Sequence, residues 1–206
     1  MERVPTFKAI SGGGQAVTTA LAKTWVRQDD TADDTLVASL CVAAQAAVEA
    51  YTNRFLVSGV WDMFLDNYPY YGRDPRMVSD LKRNRGISDL ILIPKCPVTA
   101  VSAVYTTNDA AAESTQSSTT YLVDTDAEPA RIILLEGESW GEMRHQKSMR
   151  IRFTAGYAAA AIVPDALQLA IKMTVGAWYD DREAMSKGEL PPAAKLAANP
   201  YRVIWL

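Results

Sequence analysis

Two kinds of hydrophobic periodicity alternate along the chain. In the N-terminal part, apolar residues recur three and four positions apart, which predicts a short helix over Thr19–Arg27 and a longer one from Ala32 or Asp33 to about Thr52. The apolar stripe of the longer helix consists of Leu36, Val37, Leu40, Cys41, Ala44, Ala47, Val48 and Tyr51. Asn53 is expected to end this helix. Its many alanines favour close packing against another helix or another subunit.

From Phe55 to Tyr157 the pattern changes to short runs of β-type residues. Strands are predicted at 57–65, 90–93, 98–105, 121–123, 131–135 and 149–153. The strands at 121–123 and 131–135 are predicted to form a hairpin around the turn 126–129. The polar stretch 108–119 is predicted to be a solvated turn. Helical periodicity returns after Tyr157, where Pro164 suits the first turn of a helix that is predicted to end around 180–183.

The predicted fold class is therefore α+β, with the N- and C-terminal helices packed as a small bundle and a β-rich subdomain inserted between them. Residues 1–18, which include three consecutive glycines, are expected to be a flexible N-terminal segment. The N-terminal helices then occupy 19–55, the β-rich insertion 56–157, the C-terminal helix 158–190 and a C-terminal tail 191–206. Within that last part, 193–198 is predicted to be a short helix.

Composition restricts the function classes. The chain has 206 residues, of which 49% are hydrophobic, so it can form a substantial core. A net charge of -3 argues against a dedicated nucleic-acid-binding protein, which would usually be basic. No apolar run approaches the roughly 20 residues that span a bilayer, and no secretory signal precedes the first helix. Cys41 and Cys96 are interpreted as buried free thiols.

No stretch of the sequence has the pattern of a catalytic, cofactor or metal site. The glycine run at 12–14 is not followed by the Gly-Lys-Ser/Thr of a phosphate-binding loop. The four aspartates between Asp29 and Asp34 lack the glycine and the distal glutamate of a calcium loop. They are interpreted as an acidic helix start, with Asp30 or Thr31 as its cap. His145 lies in a polar run without a nucleophile pattern nearby, so a surface position is expected.

A long polar segment, 67–89, interrupts the β-rich region and combines tyrosines with a group of basic residues. These basic residues are Arg73, Arg76, Lys82, Arg83 and Arg85. Loops of this length in compact proteins are usually functional or disordered. Arginines and tyrosines together suit a protein interface, and they also suit contact with nucleic acid at the rim or lumen of a ring.

Several motifs in a fixed order carry a resemblance to a known family. They are Val48–Arg54, Ile93–Val98, Tyr121–Asp124 with Glu128–Ile132, Ile151–Tyr157, Val163-Pro164, Trp178-Tyr179 and Pro200–Arg202. In this order and spacing the chain resembles the head–tail connector (adaptor) proteins of tailed bacteriophages and the related gene transfer agents. The likeness extends from about Leu21 to Arg202. The segment 67–89 has no counterpart in the family pattern.

The resemblance implies a structural virion protein rather than an enzyme. Such proteins are made in the bacterial host cytoplasm and form a ring, dodecameric in the particle, beneath the portal protein. The ring connects the DNA-filled head to the tail or to a stopper or tail-terminator protein, and DNA passes through its lumen. Two alternatives stay open: a tail-completion or neck protein of similar architecture, and an enzyme with a dispersed site. Neither a cofactor nor a membrane is implied.

The end of the chain is the predicted portal-docking element. It consists of Pro200, Tyr201, Arg202, Val203, Ile204, Trp205 and Leu206. Aromatic and arginine side chains tend to dominate interface energies, and the family resemblance implies that C-terminal segments insert into the portal. The alternative is that this tail folds back and covers the core of its own subunit.

Overall fold

A computed structural model describes residues 5–66, 90–181 and 188–203. The chain divides into two compact units. One unit, here called the β unit, comprises Met1–Ser11 and Gly59–Ala155. The other, the helical unit, comprises Gly12–Ser58 and Gly156–Leu206. The chain therefore passes from one unit to the other three times.

The described part of the β unit contains eight strands. They are β1 (Thr6–Gly12), β2 (Gly59–Leu65), β3 (Leu90–Ile93), β4 (Val98–Thr107), β5 (Glu113–Thr115), β6 (Tyr121–Asp124), β7 (Ala130–Leu134) and β8 (Met149–Ala155). A five-stranded sheet has the order β1-β2-β8-β4-β5, and a three-stranded sheet has the order β3-β7-β6. Strand β8 pairs antiparallel with β2 on one side and with β4 on the other, so it forms the centre of the larger sheet.

The alternating sequence of β8 explains how it can occupy the centre. Ile151 and Phe153 are fully buried on one face, whereas Arg150 and Arg152 project from the other face. Met63 of β2 and Val104 of β4 lie opposite Ile151, and both are also fully buried. One face of the sheet is therefore an apolar core and the other face is polar, as the alternation of apolar and basic residues predicts.

The predicted hairpin at 121–135 is confirmed, because β6 and β7 pair antiparallel. Asp124 lies opposite Arg131 in the register, and its carboxylate accepts a hydrogen bond from the Arg131 Nε at 3.1 Å. This arginine is the main reason that the pKa of Asp124 lies below its ordinary value. The same carboxylate accepts the backbone N–H groups of Asp126 and Ala127, which closes the turn.

The described part of the helical unit contains α1 (Thr19–Val26), α2 (Asp34–Thr52), α3 (Asp165–Asp180) and α4 (Pro192–Ala198), and the 3₁₀ turns Ala160–Ile162 and Asn199–Tyr201. All four helices contribute to one core. Its fully buried members include Ala22 of α1, Val48 of α2, Ile171 of α3 and Ala194 of α4. The α+β class is confirmed, and the N- and C-terminal helices share this core.

Helix α2 is long and apolar enough to span a bilayer by length and composition alone, so the expectation that no such stretch exists is wrong. Its apolar stripe lies in the core of the helical unit, as in a core helix of a globular domain. The buried residues are Val37, Leu40, Cys41, Ala44, Val48 and Thr52. Both cysteines of the chain are free and buried, as predicted.

Local geometry at the helix ends follows the sequence with one exception. Arg27 and Asn53 take left-handed conformations (φ 56° and 55°) that end α1 and α2. The predicted cap of α2 is wrong, because Asp33 occupies the N-cap position and makes no capping hydrogen bond with its side chain. Asp30 instead accepts the N–H of Ala32 at 2.9 Å, which forms a turn before the helix.

Gly156 marks a chain crossing between the units, and its backbone requires glycine. Its φ angle is +108°, a region that side chains disfavour, and an added Cβ would lie 2.5 Å from the backbone C and O of Val57. The close approach continues at the next residue, because Tyr157 and Val57 form an isolated parallel bridge. Ser58 N donates to the Tyr157 carbonyl at 2.9 Å.

The expectation of a flexible segment at 1–18 is wrong for residues 6–12, which form strand β1. The strand gains its order from pairing with β2 and from Phe7, whose ring packs edge-on against Phe153 at a centroid distance of 6.3 Å. The predicted turn at 108–119 also contains a strand, β5, which pairs with the end of β4. Helix α3 ends at Asp180, the first residue of the range 180–183 in which its end is predicted.

Candidate interaction surfaces

The C-terminal end of α2 binds the last described residues of the chain. Val203 N donates to the Thr52 carbonyl at 2.9 Å, and Asn53 Nδ2 donates to the Val203 carbonyl at 3.0 Å. Arg54, which is buried, donates from Nε to the Tyr201 carbonyl at 2.6 Å. On the C-terminal side, the bonded groups are the Tyr201 and Val203 carbonyls and the Val203 N–H, which belong to the predicted docking element. We call this set of contacts, between 51–54 and 199–203, the C-terminal clasp.

Side chains extend the clasp on its outer side. The guanidinium of Arg202 lies over the ring of Tyr51 at 5.1 Å from the centroid, and the Tyr51 hydroxyl bonds to the Asn199 side chain at 3.3 Å. Val203 is buried, so it is not available as an anchor for another protein. Tyr201, Arg202 and Val203 of the predicted docking element thus contact their own subunit, whereas Ile204, Trp205 and Leu206 lie outside the described residues.

A second polar cluster connects α1, the start of α2 and the end of α3. Tyr179 donates its hydroxyl to Asp33 Oδ2 at 2.6 Å, and this hydrogen bond is the main reason that the pKa of Tyr179 is raised. Lys23 binds Asp34 and also donates to the Asp30 carbonyl at 2.6 Å. These contacts give the predicted acidic helix start a structural role in the helical unit.

One face of α2 is exposed and carries no charge. Its exposed residues recur at helical spacing: Thr35, Ser39, Val42, Ala43, Ala46 and Ala50. We call this the α2 stripe. Val42, near the centre of the helix, is 56% exposed. Small uncharged side chains allow a neighbouring backbone to approach closely, so this face is suited to contact with another subunit.

A network of charged side chains covers the polar face of the five-stranded sheet, and sequence analysis missed it. At its centre is Asp62 of β2, which is 3% exposed. Arg152 donates from Nε and Nη2 to the two oxygens of Asp62 at 2.8 and 2.9 Å. Arg150 donates from Nη1 to Asp62 at 3.1 Å and holds Glu113 of β5 with its other nitrogens. Its guanidinium also stacks on the ring of Tyr105, 3.7 Å from the centroid.

The arginines hold the pKa of Asp62 below its ordinary value, and the bond from Arg152 is the largest cause. The pKa of Glu113 is lowered as well, chiefly by Arg150. Two cations and two anions balance, so the network is a neutral connection across β2, β8, β4 and β5. The signal in the sequence was an aspartate in the middle of an apolar strand. Its partners lie 88 and 90 positions away along the chain.

Replacing Asp62 by asparagine is expected to destabilise the protein by about 2 to 3 kcal/mol, because two partly buried arginines lose their shared anion. For a chain of this size, that corresponds to roughly 5 to 10 °C in melting temperature. Glu113→Gln is the matched control. Its carboxylate is 41% exposed, so a loss below about 1 kcal/mol is expected. Thermal unfolding of both variants measures the difference, and equal losses would contradict the central role of Asp62.

The same network has a defined pH dependence. Because the pKa of Asp62 is lowered on folding, its contribution is complete above about pH 4, the ordinary value for aspartate, and is lost as the pH falls through the lowered pKa. The Asp62→Asn chain should therefore lose less stability than the unchanged chain as the pH falls below about 4.

The remaining predicted positions are placed as follows. The basic residues Arg73, Arg76, Lys82, Arg83 and Arg85 lie outside the described residues. His145 is exposed on a loop, as predicted. Across the part of the chain that the structure describes, no group of three or more His, Cys, Asp or Glu side chains is placed to hold a metal ion.

Comparison with known proteins connects this architecture with particle necks. No family model and no curated protein matches the chain. Among solved structures, a chain from the neck of an empty gene transfer agent (GTA) particle, computed with C6 symmetry, matches with a TM-score of 0.76 and 20% identity. That match covers 98% of this chain and 97% of the other.

Two further structures match almost as completely. A chain from the neck of a native GTA particle computed with C12 symmetry has a TM-score of 0.65 at 20% identity, with 98% and 97% coverage. A chain from the virion of a native GTA particle has a TM-score of 0.69 at 18% identity, with 97% and 96% coverage. The chain thus has the fold of these GTA neck and virion chains, and the resemblance predicted from the sequence motifs is confirmed at the level of fold.

Proposed function

We propose that this chain is a structural head–tail connector (adaptor) that forms a ring at the neck of a tailed-phage or gene-transfer-agent particle. The observation that carries this proposal is the end-to-end fold match to chains of GTA necks, which leaves almost no part of either chain unaccounted for. The ring lies beneath the portal protein, connects the head to the tail or to a stopper, and encloses the path of the DNA.

The features of the chain are consistent with a protein that works through surfaces. The α2 stripe offers an uncharged face to a neighbour. The Asp62 network joins the strands β2, β8, β4 and β5 on the polar face of the β unit, which would keep the sheet rigid in an assembled particle. Symmetry of the kind computed for the GTA necks requires heterologous contacts, in which two different faces of each subunit meet.

In this proposal the C-terminal clasp forms the base of the portal-docking element. Residues 199–203 are held on α2 by hydrogen bonds from Asn53 and Arg54, so the chain after Val203 starts from a fixed point on the helical unit. A fixed starting point reduces the conformational entropy lost when Ile204, Trp205 and Leu206 dock. We therefore assign portal contact mainly to these three residues and restrict the role of 200–203 to positioning.

The direct test is electron microscopy of the protein assembled with its portal. The proposal expects a ring of this chain on the tail-facing side of the portal. A chain that binds the tail tube and not the portal would be a tail-completion or neck protein instead, the alternative that shares this architecture. Failure to form any ring, with or without the portal, would exclude both functions.

The α2 stripe gives a prediction about assembly. Ala46→Glu places a charge on the exposed side of α2, where it costs little in the free subunit but is buried without a partner in a subunit contact. We expect an unchanged melting temperature and loss of connectors from purified particles. Ala20→Glu, at an exposed alanine of α1, is the matched control and should assemble normally. Normal connectors in particles that carry Ala46→Glu would show that the stripe is not a subunit contact.

A further inference from the structure

The five-stranded sheet ends in two edges that differ in length. Strand β1 forms one edge with seven residues, and β5 forms the other with three. Six of the seven β1 residues and all three β5 residues are exposed. An exposed edge strand presents a row of backbone N–H and C=O groups that can pair with a further strand. Apart from Gly12, both edges belong to the β unit.

Most of strand β1 is not covered by the core of the β unit. Phe7 is half-buried against Phe153, but Ala9, Ile10 and Ser11 are exposed although they alternate between the two faces. Ile10 is 42% exposed. The strand therefore continues past the part of the core that covers its first residues. A partner strand along its outer edge would cover this extension.

At β5 the free backbone groups can be identified. Gln116 N donates to the Val104 carbonyl at 2.8 Å, and Asn108 N donates to the Ala112 carbonyl at 3.1 Å. Hydrogen-bonded pairs alternate along an antiparallel ladder, so Ser114 is the residue of β5 that bonds to β4. Glu113 and Thr115 then direct their backbone N–H and C=O groups outward, away from β4. These four groups form a short docking edge.

The side chains of the two edges are complementary. Lys8 is the one charged residue of β1, and Glu113 is the one charged residue of β5. Phe7 lies on the apolar face with Phe153, so Lys8 lies on the opposite, polar face. Glu113 lies on this polar face too, because it binds Arg150 there. In a sheet that continued from β5 of one copy to β1 of the next, the apolar faces would coincide, and Lys8 would lie on the same face as the Glu113 carboxylate, which Arg150 binds but which stays 41% exposed.

We infer that β1 of one subunit adds to the β5 edge of the neighbouring subunit, so that the five-stranded sheets of successive copies join edge to edge. The occupant of each edge is a second copy of this chain, and the contact is heterologous, as a closed ring requires. This inference rests on the proposed ring, and it adds a contact in the β unit that is separate from the α2 stripe.

Disulfide trapping in assembled particles tests the inference. Ser114 lies on the apolar face of β5, opposite Thr106, and Ala9 and Ser11 lie on the same face of β1 as Phe7. Ser114→Cys is therefore combined with Ala9→Cys or with Ser11→Cys. After oxidation, at least one pair is expected to convert most of the protein from the monomer band to a ladder of covalent multimers on a non-reducing gel. Cys41 and Cys96 are buried and should not contribute.

The alternation of faces supplies the control. Ser114→Cys combined with Ile10→Cys places the two thiols on opposite faces, so this pair should stay monomeric under the same oxidation. The variants are first examined by electron microscopy for the ring. If the ring forms but neither same-face pair gives covalent multimers, the edge contact is wrong and the proposed function is unaffected. The same conclusion follows if the cysteine of Ala9→Cys forms a disulfide with a different protein. Absence of a ring would overturn both.

Discussion

Gly156→Ala is expected to prevent the chain from reaching a stable fold. The added Cβ would lie 2.5 Å from the Val57 carbonyl carbon and oxygen and 2.7 Å from Ser58 N. Backbone atoms cannot move aside as a flexible side chain can, so the helical unit would have to separate at the bridge between Val57 and Tyr157. This steric overlap and the positive φ angle act together, so we expect the free energy of unfolding to fall by about 4 kcal/mol or more. Losses of this size in single variants arise from mechanisms such as backbone strain. Soluble yield and melting temperature measure the effect.

Gly188→Ala is the matched control. Gly188 also has a positive φ angle (+63°), but an added Cβ there meets no atom within 4 Å. The expected loss is therefore only the cost of a left-handed residue, about 1 to 2 kcal/mol. If both variants lost the same stability, the steric contact with Val57 would not be the reason that glycine is required at 156.

Removing Ile204, Trp205 and Leu206 is expected to abolish binding to the portal without changing the melting temperature. The clasp, with the hydrogen bonds from Asn53 and Arg54, stays intact in this truncated chain. Removing 199–206 is a different change. It leaves the buried Arg54 without the Tyr201 carbonyl and removes the buried side chain of Val203. We therefore expect the free energy of unfolding to fall by roughly 2 to 3 kcal/mol. Differential scanning fluorimetry and co-purification with portal measure the two effects separately.

The pair of truncations distinguishes docking from self-coverage. If the tail serves only to cover its own subunit, the shorter truncation should change neither stability nor portal binding, and the longer one should change stability alone. A stable chain that lacks 204–206 and still binds the portal would show that docking uses another surface.

Local periodicity was enough to predict the helices, because each of them is defined by contacts within a few turns. Helix α2 ends at Asn53 as predicted, and the apolar residues of its stripe lie in the core. The same holds for β8, whose alternation alone predicts one buried and one polar face. The order of the strands in the sheets could not be predicted in this way, because it depends on pairs far apart in the chain.

The missed elements share a physical cause. Strand β1 has little burial of its own, and its order comes from β2, some 50 positions later in the chain, so its sequence resembles a linker. The Asp62 network depends on the register between β2 and β8, which places Asp62 opposite Arg152. The clasp involves mainly backbone carbonyls at 201–203, and backbone acceptors leave no trace in residue type.

The three crossings between the units have a practical consequence for anyone who divides this protein. A piece that runs from Gly59 to Ala155 looks like a self-contained insertion, yet it lacks the N-terminal strand and would expose β2 as a new, more apolar sheet margin. Deleting residues 1–12 for expression would expose the same β2 edge in the otherwise whole protein, and we expect such a protein to self-associate. A single-chain version of the β unit needs residues 5–12 rejoined through a short linker to the start of β2, because the end of β1 lies there, where Gly13 N donates to the Ser58 carbonyl at 3.3 Å.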